Sequence, residues 1–316
     1  MDVDPRFTRR DKSRNRLLAH LLSLALALLP CLATARADGL PPPGTALQSR
    51  AIQVGDTTWA YYEGEKNGPS LLLVHGFASG KDVWARLAAD LGTDFHLIIP
   101  DLPGWGQSTR LPGQNYDIEA QATRLDGFIQ ALDLQQLTLV GHSMGGAITG
   151  VHAVERPQRI ARLALIGSLG LSFVENDFIR ALNAGDNPFI YDDRAGVERT
   201  ARLVYLDPLP MSDQQVADAI SLNRTQRAFI ESTLEQIRPP SQWQALDPRL
   251  GRLNIPVLGV GCREDRVIDI SALQTLENRL PPHQARQLVT LDGCNHLPML
   301  ERPVETARLL RNFANG

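Results

Sequence analysis

Thr138-Leu139-Val140-Gly141-His142-Ser143-Met144-Gly145-Gly146 decides how this chain is read. A short apolar run ends in glycine, a serine follows two residues later, and two more glycines open a second apolar segment. The spacing is G-x-S-x-G, a sharp strand-to-helix turn with the serine at its apex. The turn forces strained backbone angles on the serine. Side chains at the flanking glycine positions would strike the neighbouring strand or helix. Such a turn leaves the Ser143 hydroxyl exposed at a helix N-terminus, where backbone N–H groups and the helix dipole favour a developing oxyanion. The pattern alone also suits a glycine-rich turn with an incidental serine, so the rest of the chain must supply partners.

Upstream of the turn the chain opens with a leader. Residues 1–37 carry seven Lys/Arg against three Asp/Glu, a charge of +4 within a chain total of −3, which leaves −7 for the remainder. An acidic body argues against a nucleic-acid partner. Arg9, Arg10, Lys12, Arg14 and Arg16 precede an apolar run from Leu17 to about Leu32, then Ala35-Arg36-Ala37 and the Pro41-Pro42-Pro43 linker. That order is basic region, apolar region, small-x-small cleavage pattern. Three outcomes fit: a cleaved export signal, an uncleaved anchor over residues 17–35, or a lipid attached at Cys31. In the first two the body faces away from the cytoplasm. The expectation is an exported, periplasmic protein, held in the inner membrane or released after cleavage near Ala37.

Past a linker at 38–49, strand and helix signals alternate. Residues 50–62 read as a hairpin around Gly55-Asp56. Residues 70–74, 95–99, 137–140 and 160–166 read as buried strands. Helical spacing covers 82–91, 116–132 and 144–154. Strands then stop until 256–260. Between lie four helical segments, roughly 176–184, 196–205, 212–222 and 224–237. A helix at 272–279, a strand at 287–291 and a helix at 304–315 close the chain. This alternation predicts a mostly parallel sheet with helices on both faces, built from 50–169 and 256–316. Residues 170–255 form a helical cap above the C-terminal edge of the strands, where such sheets bind ligands. The pattern selects no oligomeric state.

A serine hydroxyl needs a base, and in this kind of sheet the order is serine, acid, histidine. His20, His75, His96 and His142 precede Ser143, and His152 falls inside the following helix. Of the two that remain, His283 belongs to a loop before the last strand. His296 follows that strand at the active edge, in Asp292-Gly293-Cys294-Asn295-His296, and is the expected general base. Glu264, Asp265 and Asp269 lie just past strand 256–260. Asp265 is best placed to hold the imidazole. The oxyanion donors are expected to be the N–H of Met144, after the nucleophile, and the N–H of Phe77, in His75-Gly76-Phe77-Ala78-Ser79-Gly80.

Five segments together carry a family resemblance. They are Val74-His75-Gly76-Phe77, Pro100-Asp101-Leu102-Pro103-Gly104-Trp105-Gly106-Gln107-Ser108, Gly141–Gly146, Arg263-Glu264-Asp265-Arg266-Val267, and Asn295-His296-Leu297-Pro298-Met299-Leu300-Glu301-Arg302-Pro303. As a set they resemble the α/β-hydrolase superfamily over residues 50–316, the cap excepted. Lys81-Asp82-Val83-Trp84, Tyr116-Asp117-Ile118 and Gln121-Ala122 more particularly resemble bacterial family V lipases and, more distantly, a membrane-anchored bacterial phospholipase A. The resemblance implies the α/β-hydrolase fold, a Ser143, Asp265, His296 triad, and neither cofactor nor metal. Cys262 departs from it, since many relatives have glycine there.

Apolar cap residues can line an acyl channel or build the cap's own core. Phe173, Phe178, Tyr205 and Phe229 are selected as acyl contacts. Cys262 and Cys294 sit on the acid and histidine loops, where an oxidising compartment would let them bridge; otherwise they are two partly buried thiols. The whole predicts a serine ester hydrolase acting on an acyl-ester or lipid substrate: a lipase, a carboxylesterase or a phospholipase A, associated with a membrane. A carbon–carbon bond hydrolase of the same fold, or a non-catalytic binding protein, is the rival reading.

Overall fold

The computed structural model describes residues 41–42 and 44–316. The leader, with its proposed signal, anchor and Cys31 alternatives, lies outside the described residues. Among those described, no helix is long and apolar enough to cross a membrane.

Strands β1 (Gln48–Val54) and β2 (Thr57–Glu63) form the expected hairpin, with Gly55 at φ 60° in its two-residue turn. Then follow β3 (Ser70–Val74), α1 (Ala85–Leu91), β4 (His96–Pro100), α2 (Ile118–Ala131), β5 (Leu137–His142), α3 (Met144–Glu155) and β6 (Ile160–Ile166). The insertion holds α4 (Asp177–Asn183), α5 (Arg194–Val204), α6 (Asp213–Ile237) and α7 (Pro240–Trp243). The chain closes with β7 (Val257–Cys262), α8 (Ser271–Arg279), β8 (Arg286–Leu291), α9 (Pro298–Glu301) and α10 (Pro303–Asn315). The eight strands form one sheet in the order β1-β2-β4-β3-β5-β6-β7-β8, antiparallel at β1–β2 and β2–β4 and parallel from β4 onward.

The central strands need no alternation because both faces are covered. Leu71, Leu72, Leu73 and Val74 of β3 are fully buried, as are Leu139 and Val140 of β5. Each such Leu stabilises the fold by about 1.5–3 kcal/mol. Two helix starts show the cap: Asp117 accepts from the Ala120 N–H at 2.8 Å, and Asp193 from the Gly196 N–H at 2.8 Å.

The helical region 82–91 divides into a 3-10 turn, Lys81–Trp84, and then α1. The cap departs further from expectation. The segments predicted at 212–222 and 224–237 are one continuous 25-residue helix, α6. Asn223, the residue between the two expected segments, lies within the helix, and its side chain serves another segment. It donates to the Phe189 carbonyl at 2.7 Å and accepts from the Tyr191 N–H at 3.2 Å. A tertiary contact therefore overrides a weak local signal. The insertion also leaves and rejoins the core at one point. Gly170, at φ 93°, donates to the Trp243 carbonyl, and its own carbonyl accepts from the Leu246 and Asp247 N–H groups.

Candidate active site

Ser143 stands between β5 and α3 at φ 52° and ψ −122°, a conformation closed to most L-residues. Close packing enforces the turn. A Cβ on Gly145 would collide with the backbone carbonyls of Val74 and His75, so β3 and α3 meet only because glycine is there. The Ser143 carbonyl accepts from the Gly146 N–H at 2.9 Å and the Leu169 N–H at 3.0 Å, which pins the turn to the loop after β6.

Asp265 and His296 meet at the same sheet edge. His296 Nδ1 lies 2.9 Å from Asp265 Oδ2. The other carboxylate oxygen accepts from the Val267 and Ile268 N–H groups at 2.8 and 2.9 Å. Asp265 is thus held by its own loop and directed at the imidazole. With Nδ1–H donated to Asp265, Nε2 of His296 is the nitrogen left with a lone pair. The pair borders the elbow: the His142 and His296 rings are 4.6 Å apart, and Gly167 faces both Asp265 and His296. No hydrogen bond joins Ser143 Oγ to His296 among the described residues, as is common before substrate is bound. Glu264 faces the Gly293 N–H, and Asp269 caps the turn at Ser271, so neither reaches His296. His283 is exposed, and His152 is turned away toward Asp126 at 3.3 Å.

The oxyanion loop is oriented by its own histidine. His75 donates from Nδ1 to the Gly76 carbonyl at 2.8 Å and accepts at Nε2 from the Leu102 N–H at 2.9 Å. Burial holds this imidazole below its ordinary pKa range, so it stays neutral and its tautomer is fixed. A trans peptide carries its carbonyl and the next N–H on opposite sides. Gripping the Gly76 carbonyl therefore turns the Phe77 N–H the other way. Neither the Phe77 nor the Met144 N–H has a protein acceptor among the described residues.

Several supporting residues escaped the sequence reading. His142 donates from Nε2 to the His296 carbonyl at 2.7 Å. Burial first, and the charge of His296 second, push its pKa well below the usual imidazole range, so it is neutral. Asn295 links three elements. Its Nδ2 donates to the Leu203 and Tyr205 carbonyls at 2.9 and 3.1 Å, and its Oδ1 accepts from the Arg266 N–H at 2.8 Å. The His296 N–H itself donates to the Val204 carbonyl at 3.1 Å. The last carbonyls of α5 thus find their partners on the histidine loop. Glu301 accepts from the Asn295 and Leu206 N–H groups at 2.8 and 2.7 Å, and burial pushes its carboxyl up. These contacts span 90 or more residues, except those from Asn295 to Arg266 and to Glu301, and no local pattern announces them.

Cys262 and Cys294 are bridged, with Cα atoms 5.5 Å apart. The bond joins the end of β7, just before the acid, to the loop that carries His296.

The four selected cap residues divide. Phe229 belongs to an aromatic wall that reaches the oxyanion loop: its ring is 4.8 Å from Trp105, which is 5.2 Å from Phe77. Phe178 stands one layer back, against Phe189, and Phe189 is the cap ring that touches Phe77, at 5.3 Å. Phe173 is partly buried against the core, and Tyr205 is buried in it, with its carbonyl accepting from Asn295. Phe189 and Trp105 were the missed members of the wall. Among the described residues no cluster of His, Cys, Asp or Glu is placed to hold a metal.

A mostly parallel sheet, a strained serine elbow and an Asp–His pair at the same strand ends define a class of hydrolytic enzymes. The description "alpha/beta hydrolase fold" matches residues 69–303, and the chain belongs to that family. It is 31% identical to Lipase 3 of Moraxella sp. strain TA144, covering 85% of both chains. It is 28% identical to a monoacylglycerol lipase of Xenopus laevis, over 79% of this chain and 76% of the relative. Among solved structures it resembles a bacterial membrane phospholipase A, described as a virulence factor, with a TM-score of 0.82 and 30% identity over 96% of this chain and 98% of that one. A 2-hydroxy-6-oxo-6-phenylhexa-2,4-dienoate hydrolase of Rhodococcus sp. strain RHA1, at 24% identity and a TM-score of 0.73 over 85% of this chain and 99% of that one, shares the fold.

Proposed function

We propose that this protein is a serine carboxylic ester hydrolase that cleaves acyl esters of lipids. The observation that carries the reading is the oriented His296–Asp265 pair beside a strained Ser143, which is buried rather than exposed as the turn alone predicts. Ser143 Oγ attacks the ester carbonyl while Nε2 of His296 takes its proton. Asp265 fixes the imidazole's tautomer and stabilises the imidazolium that forms. The Phe77 and Met144 N–H groups hold the tetrahedral oxyanion. His296 then protonates the leaving alcohol. Water, deprotonated by the same nitrogen, releases the acid from Ser143.

The names of the relatives support a lipid ester as substrate, and the apolar rings of Phe77, Phe189 and Phe178 suit an acyl chain. The basic–apolar leader supports export and association with the inner membrane. The disulfide is consistent with an oxidising compartment. Fractionation of cells, with N-terminal sequencing, tests this: a soluble protein beginning near Asp38 rules out the anchor.

For the chemistry, a p-nitrophenyl ester series of increasing chain length is run on the wild type and on Ser143→Ala. The variant is expected to lose about 10⁴-fold or more in kcat. Equal turnover by both proteins refutes the mechanism. A wild type inactive on every ester favours carbon–carbon bond hydrolysis or simple binding.

A further inference from the structure

The aromatic wall carries polar donors that nothing in the protein satisfies. Trp105 is almost fully buried, yet its indole N–H has no hydrogen-bond partner. Its ring lies edge-on to Phe77 on one side and to Phe229 on the other, at 5.2 and 4.8 Å. Five residues along the same loop, the Arg110 guanidinium lies over the Phe229 ring, 4.0 Å from its centroid. Arg110 donates from Nε to the Gly104 carbonyl at 2.9 Å, and no carboxylate pairs with it among the described residues. Its other neighbour is Tyr116, which also packs on Phe229, at 4.9 Å. Arg124 lies over the Tyr116 ring, 5.0 Å from its centroid.

A buried indole N–H without an acceptor is costly. Arg110 is exposed, so its terminal nitrogens are open to a ligand, though partial loss of hydration lowers its pKa. Both groups flank one ring, on a wall continuous with the Phe77 loop. Stacking and the Gly104 bond fix the guanidinium plane and leave its two terminal nitrogens for a ligand. A planar donor fork held in this way suits an oxyanion with several acceptor oxygens.

We propose that Arg110 and Trp105 form a head-group subsite for the phosphodiester of a phospholipid or lysophospholipid. This rests on the ester-hydrolase reading and narrows its substrate. In such a lipid only a short glycerol spacer separates the scissile ester from the phosphate. With the acyl chain on the Phe189 side of Phe77, the head group is directed to the Trp105 side, where Phe229 and Arg110 lie.

The test compares two soluble substrates with the same short acyl chain, a monoacylglycerol and a lysophosphatidylglycerol. The readout is the ratio of their kcat/KM values in wild type, Arg110→Gln, Arg110→Lys and Trp105→Phe. Arg110→Gln is expected to lower the ratio of phospholipid to monoacylglycerol about 10- to 100-fold, the worth of a charge-assisted bond. Arg110→Lys restores part of it, and Trp105→Phe lowers it by a smaller factor. Equal losses on both substrates overturn the proposal and leave Arg110 as a clamp between cap and core. A wild type that cleaves the monoacylglycerol but not the phospholipid also overturns it. If neither ester is cleaved, it is the ester-hydrolase reading that fails.

Discussion

Ser143 illustrates how much one residue's chemistry depends on neighbours that do no chemistry. Its backbone is strained, and the strain persists because Gly145 lets α3 approach β3. Gly145→Ala puts a methyl group into two backbone carbonyls that cannot swing aside. The expected cost is about 1–3 kcal/mol or more, seen as a lower thermal midpoint together with lost activity. An unchanged midpoint would show that the strands give way more easily than packing suggests. His142 offers a milder test. Glutamine there keeps a donor at similar reach for the His296 carbonyl, whereas leucine removes it. Leucine is expected to lower kcat about 10-fold, by loosening His296, while glutamine recovers most of the loss; equal rates in the two variants contradict this. At this scale the Asp265–His296 pair and the Ser143 turn were legible, because chain order and loop position eliminate the other histidines. His142, Asn295 and Glu301 were not legible, because what they touch is decided by folding. His142 meets a carbonyl 154 residues away.

Among elements, the disulfide and the long cap helix carry the clearest consequences. The Cys262–Cys294 bridge closes a loop over a sequence separation of 32 residues. Constraining the unfolded chain that much is worth about 3–4 kcal/mol. Replacing both cysteines by serine is expected to cost that amount in denaturant melts of the oxidised protein. Activity should fall further than stability alone explains, since the bridge joins the acid loop to the base loop. A variant with unchanged melting and rate would make the bridge incidental. In α6, Asn223→Leu removes its two bonds, from the Tyr191 N–H and to the Phe189 carbonyl, and about 1–3 kcal/mol should be lost. Strand and helix periods located most elements to within a residue or two. They failed at 223, where an asparagine between the two expected segments faces inward to serve another segment.

For the molecule as a whole, acid is the informative variable. His75, His142 and His152 are buried and neutral, each held below the ordinary range chiefly by loss of hydration. In the unfolded chain each would titrate near about 6.5. Below that pH the unfolded state binds protons that the native state refuses, so stability is full above about 6.5 and falls as the pH drops toward the native values. Melting midpoints should therefore decline between about pH 6.5 and 5, and His142→Gln should flatten the slope. A midpoint constant over that interval would mean that these imidazoles gain partners on protonation.

The bonds between the end of α5 and the histidine loop bear on how such an enzyme can be re-engineered. Exchanging the insertion at 170–255 for a relative's looks like the direct route to a new selectivity. Yet the carbonyls of Leu203, Val204 and Tyr205 hold Asn295 and His296 in place. A graft that replaces the whole insertion discards part of the catalytic frame along with the specificity. The segment open to exchange begins only after Leu206, whose N–H is the last fastening to Glu301.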